Sequence, residues 1–271
     1  MTGKECTPKL QGVAETLIIP LYYRALETQR PDALVKDAKA VEVIGRIDYD
    51  FGRFSRLQSE QLAILVRLRL FDAAVRSFLT EHPDGVIVDI GCGLNTRFHR
   101  VDNGTLEWFD LDLPEVIVLR RQLLGEPPRC HLLAGSALDP AWMDQLGKAA
   151  GRPVLFVAEG VFPYWTEAQV KGVVLALKER FPGARLVFDA TSRLLVLTHN
   201  IELALTQVQA RLRFGMGSTK AMEAWAAGVR LLNTWYYFEQ PEPRLRSLRL
   251  MRYLPVLGKG AFVLLYQLGG R

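Results

Sequence analysis

Along the first third of the chain the apolar positions recur at intervals of three and four. Leu62, Leu65, Val66 and Leu70 set the pattern, with Arg67 and Arg69 interrupting it. That spacing lines one face of a helix, so residues 10–79 are predicted to be helical and to form an N-terminal cap. A turn signal, Pro83-Asp84-Gly85, then changes the period. Beyond it, short β-branched runs alternate with stretches of helical composition: VIVDI (86–90), LEWFDLD (106–112), CHLLAG (130–135), VLFVAEG (154–160) and RLVFDA (185–190). Continuous apolar strands are those that helices cover on both faces, so the alternation predicts an α/β fold with a doubly wound, mostly parallel sheet. Four of the runs read as buried. LEWFDLD, with its acids, reads as closer to an edge.

Residues 193–228 are helical in composition and are expected to belong to a lid insertion (191–230) over the carboxyl edge of the sheet, where such folds bind their ligands. LLNTWYYFE (231–239), a basic segment PRLRSLRLMRY (243–253) and AFVLLYQL (261–268) follow. The two apolar runs bring the count to seven strands, the last antiparallel and joined to its predecessor by a short connection. The expected organisation is one domain over 1–271, made of a cap (1–80), a core (85–190), the lid and the C-terminal strands (231–271).

Composition narrows the class without naming the chemistry. The chain has 271 residues, 49% hydrophobic and 23% charged, which is globular and excludes disordered or collagen-like chains. Lys+Arg number 34 against Asp+Glu 29, and an excess of +5 is too small to point to nucleic acid. Cys6, Cys92 and Cys130 are odd in number and lie far apart, which favours a reducing, cytoplasmic setting over a disulfide framework. No apolar stretch reaches the roughly 18 residues of a membrane helix. His82, His99, His131 and His199 lack partners at metal-ligand spacing, so no metal site is expected. Nor is there a G-x-S-x-G nucleophile elbow.

The chemistry concentrates in VIVDIGCGLNTRF (86–98), a strand that ends at Asp89 and runs through Gly91-Cys92-Gly93 into a helix start. Glycines there let a nucleotide-type cofactor approach the backbone. A dinucleotide fingerprint would need glycine at position 96, where Thr96 stands, which weakens a pyrophosphate reading. Asp112 ends the next strand at the separation expected of a ribose-binding acid. The same residue also reads as an ordinary polar group ahead of the helix start Leu113-Pro114-Glu115.

DIGCGLNTRF, WFDLDLPEVIVLRRQL and AEGVFPYW, in that order and spacing, resemble the leucine carboxyl methyltransferase family, and most closely its bacterial branch of tetracenomycin-polyketide-type O-methyltransferases. The resemblance implies a Rossmann-like class I methyltransferase that uses S-adenosyl-L-methionine, and the seven strands suit that sheet. It places Gly91, Cys92 and Gly93 under the methionine and ribose of the cofactor and Asp112 and Leu113 at the ribose. Ser136, Ala137 and Leu138 would lie near adenine, Glu159 and Gly160 would close the pocket, and Arg67 would meet the methionine carboxylate. Arg67 also reads as a snorkelling surface arginine, and Arg24 is an alternative clamp. Two departures stand out: Asn95, where the family has Asp, and Phe162-Pro163 ahead of Tyr164.

Direct methyl transfer from a sulfonium needs no protein nucleophile, so no catalytic residue is assigned. A carboxylate acceptor is already ionised at neutral pH, whereas a phenol needs a general base. The segment after the fourth strand offers none beyond Tyr164, His199 and Glu159, and the basic C-terminal segment carries Arg246 and Arg249. Tyr164, His199, Arg246 and Arg249 are therefore the expected contacts to the acceptor. The expected partner is a small-molecule or peptide carboxylate, with phenolic methylation of a polyketide and non-catalytic cofactor binding as alternatives, and a nicotinamide-dependent oxidoreductase as a weaker one.

Overall fold

A computed structural model of the chain describes residues 13–51, 58–147, 151–204, 211–245 and 258–270. Its strands are β1 (Val86–Ile90), β2 (Glu107–Asp112), β3 (Cys130–Ala134), β4 (Val154–Ala158), β5 (Ala184–Thr191), β6 (Val229–Tyr236) and β7 (Ala261–Leu268). They form a seven-stranded sheet in the order β3-β2-β1-β4-β5-β7-β6. Neighbours from β3 to β5 pair in parallel, and β7 is antiparallel to both β5 and β6. The helices are α1 (Val13–Thr28), α2 (Ala38–Arg46), α3 (Gln58–Glu81), α4 (Arg97–Val101), α5 (Pro114–Leu124), α6 (Glu167–Arg180) and α7 (Arg193–Ala204).

Side chains alternate across a strand, and here both faces are apolar. Val86, Val88, Phe156, Leu186 and Phe188 pack with Val170, Val174 and Leu177 of α6 on one face. Ile87, Leu155, Val157 and Val187 pack on the other with Val66, Phe71, Val75 and Phe78 of α3. A third cluster joins α1 and α2 to the end of α5 and to Leu94 in the loop after β1. Thr166 caps α6 with a reciprocal Gln169 contact, which fixes where the chain turns after β4. Among the described residues, no helix is long and apolar enough to cross a membrane.

Three expectations are corrected. LEWFDLD is not an edge: β2 lies between β3 and β1 and is buried through its middle, while the more apolar CHLLA run is the edge. The reason is Asp110, which is fully buried because Arg120 donates to it through Nε (2.8 Å) and Trp108 donates through Nε1 (2.8 Å). A paired acid thus occupies an interior position that an unpaired one could not. The connection between β6 and β7 is not short; it takes residues 237–260. Within 193–228 the regular helix is α7 alone, followed among the described residues by a short 3-10 turn, Ala221–Trp225. Residues 1–12 and 52–57 of the predicted cap lie outside the described ones.

Arg120 also donates Nη1 to the carbonyls of Gly93 (3.0 Å) and Asn95 (2.6 Å), so one guanidinium neutralises β2 and ties down the loop after β1. Arg120→Met strands a buried carboxylate and is expected to cost about 3–5 kcal/mol. Urea unfolding of the purified variant checks this, and a loss below about 1 kcal/mol would mean that Asp110 finds another partner or a proton.

Candidate functional site

The loop from Ile90 to Arg97 carries a polypeptide conformation that only glycine adopts without strain. Gly91 and Gly93 have φ of 66° and 49°, in the left-handed region. A Cβ on Gly91 would stand 2.5 Å from Val161 Cγ2, and one on Gly93 would stand 2.8 Å from Leu17 Cδ2. The loop is therefore closely covered from α1 and from the segment after β4. Its amides are directed: Gly91 and Cys92 N–H donate to Leu111 O (2.8 and 3.2 Å), and Gly93 N–H donates to Asp112 Oδ2 (2.8 Å). Leu113 N–H donates to Asp112 Oδ1 (2.8 Å). Burial pushes the Asp112 pKa up, against these two N–H bonds. A carboxylate that accepts two bonds keeps about two further lone-pair positions for a ligand. Cys92 is buried with its thiol pKa raised well above normal by burial, so the residue offers the site its backbone and no thiolate.

The next strand end joins the same edge through Gly135 N–H, which donates to Asp112 O (2.9 Å). Leu113 and Leu138 are large apolar side chains left 42% and 40% exposed there, beside Ser136, whose Oγ accepts from Leu138 N–H (3.2 Å). Ala137 packs against the core.

Below the loop runs a chain of alternating charges. Arg24 Nε donates to Asp37 Oδ2 (2.9 Å), and Arg100 Nη1 donates to the same oxygen (2.7 Å). Arg100 Nε donates to Asp72 Oδ2 (2.8 Å), while Asp72 Oδ1 accepts from Arg97 Nε (2.8 Å). Arg97 Nη2 donates to Glu159 Oε2, and Glu159 Oε1 accepts from Arg67 Nε (3.1 Å). Arg67 Nη1 then donates to Asp189 Oδ2 (3.2 Å), and Asp189 Oδ1 takes the Gly160 N–H (2.6 Å). Burial disfavours the Glu159 anion, yet Arg97 and Arg67 outweigh it and hold its pKa below normal. Asp89 has weaker support: burial raises its pKa to about 7, against the pull of Arg97, whose Nη1 stands 3.6 Å from it, and despite an Asn95 Nδ2 bond of 2.8 Å.

Arg67, Gly91, Gly93, Asp112, Leu113, Ser136, Ala137, Leu138, Glu159 and Gly160 thus all stand at the carboxyl edge of β1 to β4. Arg67 is no free surface arginine, since Glu159 and Asp189 bind it. Arg24 is turned inward to Asp37 and to Leu94 O (2.7 Å). Tyr164 is 44% exposed just past β4. His199 lies on α7 with its side chain outside the described residues, as Arg246 and Arg249 are entirely. Arg244, the first arginine of the basic segment, is paired with Glu27 and Glu242 (2.7 and 3.0 Å). Asp72, Arg97, Arg100 and Asp189 belong to the charge chain without any sequence motif that marks them. A signal existed in each helix: a lone acid in LRLFDAAV and an arginine directly after the glycine loop are charges on faces that must be buried. No cluster that could hold a metal ion occurs among the described residues.

The sequence profile of the leucine carboxyl methyltransferase family matches residues 18–178. The tetracenomycin polyketide synthesis O-methyltransferase of Streptomyces glaucescens is 33% identical over 87% of this chain and 87% of its own length. An S-adenosyl-L-methionine-dependent methyltransferase of Gibberella zeae is 32% identical over 64% of this chain and 62% of its own. In fold, a DUF574-family protein from Streptomyces avermitilis superposes with a TM-score of 0.63 at 14% identity, covering 93% of this chain and 96% of that one.

The charge chain has a pH signature. Burial would raise the Asp72 pKa, but Arg100 and Arg97 overcome it and bring it down to about 2, from 3.8. A depressed carboxyl pKa contributes stability that is complete above the unfolded value and is lost as pH falls through the folded one. The stability gap between the native protein and Asp72→Asn is therefore expected to be constant from pH 7 to about 4 and to shrink towards pH 2. Chemical unfolding at several pH values checks it, and a gap that shrinks already between pH 7 and 5 would contradict the pairing.

Proposed function

The chain belongs to the leucine carboxyl methyltransferase family and is an S-adenosyl-L-methionine-dependent O-methyltransferase, and from that premise we propose that its acceptor is a carboxylate on a small molecule or a peptide end. The residues present fit the cofactor. Gly91 and Gly93 let the loop turn at positive φ against Val161 and Leu17, and Asp112, which accepts the Gly93 N–H, is the ribose acceptor. Leu113, Ala137 and Leu138 offer apolar surface to adenine, with Ser136 as its polar neighbour. The Arg67 guanidinium, beside Gly160, is the partner of the methionine carboxylate, because its planar fork suits a carboxylate. Glu159 acts through Arg67, whose Nε donates to it.

When bound, S-adenosyl-L-methionine supplies an electrophilic methyl group on a sulfonium. What the chain must add is alignment of the acceptor oxygen and exclusion of water. The observation that carries the carboxylate reading is the engagement of Asp112, Glu159 and Asp189 at this edge, while Asp89 is buried beneath the glycine loop and bonded by Asn95. Asp112 accepts two backbone N–H bonds, Glu159 sits between Arg67 and Arg97, and Asp189 serves Gly160 and Arg67. Glu159, stabilised as an anion by two arginines, is a poor proton acceptor, and a carboxylate substrate needs none. Tyr164, with the exposed Leu194 and Leu197 of α7, supports an acceptor with an apolar body, and α7 is assigned as part of its lid. That apolar surface, together with the polyketide pathway named for the Streptomyces relative, also supports the second reading, phenolic methylation.

Asp112→Ala is expected to weaken S-adenosylhomocysteine binding by about tenfold or more in a folded protein, the equivalent of one lost hydrogen bond to a charged group. Arg67→Lys is expected to weaken it as well, because an ammonium cannot reproduce two parallel bonds. Calorimetric titration reads both, and unchanged affinity removes the residue from the site. The product of turnover with a carboxylate acceptor should be an ester that mild alkali hydrolyses. A methylated product that survives alkali is an ether and assigns the enzyme to phenols.

A further inference from the structure

We propose that Arg97 is a positioning residue of the cofactor site: wedged beneath the glycine loop, it holds Glu159 so that Glu159 fixes the Arg67 guanidinium beside Gly160. The inference rests on the placement of the cofactor's methionine end against Arg67. Arg97 is the first residue of α4 and is 1% exposed, and its guanidinium spans three elements. Nε is held by Asp72 of α3, Nη2 reaches Glu159 past the end of β4, and Nη1 points at Asp89 of β1 without a hydrogen-bond partner. Phe71 packs under it, with 5.3 Å between the guanidinium carbon and the ring centre. Asp72 therefore fixes one side of a rigid plane whose opposite side fixes Glu159.

Glu159 in turn has one oxygen for each arginine. Without Arg97 it is a buried acid with half its compensation, and it can take up a proton. A protonated Glu159 no longer attracts Arg67 Nε as an anion does, and Asp189 is left as the only carboxylate holding Arg67. The groups that face Glu159 are Arg67 on α3, Arg97 on α4, Arg24 on α1, Asp89 on β1, Asp189 on β5 and Tyr237 after β6. Two positive neighbours in direct contact maintain the anion, and the flanking acids oppose it. Removal of one positive neighbour therefore moves Glu159 towards the neutral form.

The test is the pH dependence of S-adenosylhomocysteine affinity, measured by calorimetry from pH 6 to 8.5 on the full chain. Relative to the native profile, Arg97→Gln is expected to lose affinity as pH falls, by up to about tenfold per pH unit below the new Glu159 pKa. Arg97→Lys keeps the charge and is expected to restore the native pH dependence at a lower overall affinity. A core arginine that only fills space would give Arg97→Gln a weaker but parallel profile, and that outcome overturns the proposal. Asp89 also faces Arg97, so Arg97→Gln is repeated with Glu159→Gln. Persistence of the added pH dependence would assign it to Asp89 and overturn the proposal. Glu159→Gln alone decides the matter if Arg97→Gln fails to fold: it should bind more weakly than the native protein, and native affinity would show that Glu159 does not fix Arg67. The premise has its own control. Native affinity in Arg67→Ala rejects the placement of the cofactor, whereas weakened binding in Arg67→Ala with a native profile in Arg97→Gln rejects only the role of Arg97.

Discussion

A guanidinium or carboxylate taken out of water costs several kcal/mol unless it is paired, and that constraint organises the ground beneath the glycine loop. Arg24, Asp37, Arg100, Asp72, Arg97, Glu159, Arg67 and Asp189 satisfy it by alternating in sign. Each member is positioned because its neighbours cannot be left alone. Such pairs add little net stability compared with apolar packing, but they are exacting about geometry. The apolar faces of the sheet hold the elements together, and the ion chain sets where the last turn of α1, the start of α2, the middle of α3, α4 and the carboxyl ends of β4 and β5 stand relative to one another.

The same constraint explains what could be read from the sequence and what could not. Strands β1, β4, β5 and β7 are nearly uninterrupted apolar runs, and a run of that kind has few alternatives in an α/β sheet. β2 was legible as a strand but not as an interior one, because Asp110 looks like a solvated acid until Arg120, ten positions on, is known to cover it. The apolar run at β3 misled in the opposite sense, since composition does not register that β3 stands at the end of the sheet order. Asp112, the two glycines and Gly160 were legible as residues of the carboxyl strand ends because a glycine turn after a strand leaves a local signature. Arg97 and Asp72 were not, because their roles arise from contacts between residues far apart in sequence.

Arg67 shows how a functional and a structural reading can both hold. A charge on an apolar helix face needs a partner, and Glu159 and Asp189 supply it. Those partners also prevent the side chain from sampling solvent, so the guanidinium stands beside Gly160 with little rotamer freedom left to lose on meeting the carboxylate proposed for it. Pairing within the protein is thus a form of preorganisation.

The balance of charge at the carboxyl edge runs against that of the whole chain. The sequence carries a net +5, yet Asp89, Asp112, Glu159 and Asp189 crowd an edge served directly by Arg67 and Arg97. The pKa values of Asp89, Asp112 and Asp189 are all raised, burial being the first cause in each, with carboxylate neighbours adding to it. An edge of that kind favours a cofactor that carries positive charge over one that carries a pyrophosphate. S-adenosyl-L-methionine has a sulfonium and an ammonium against one carboxylate, whereas a dinucleotide brings a pyrophosphate. The glycine spacing, with Thr96 in place of a third glycine, and the acidic edge therefore discriminate in the same direction. One acts through the shape of the backbone and the other through its field.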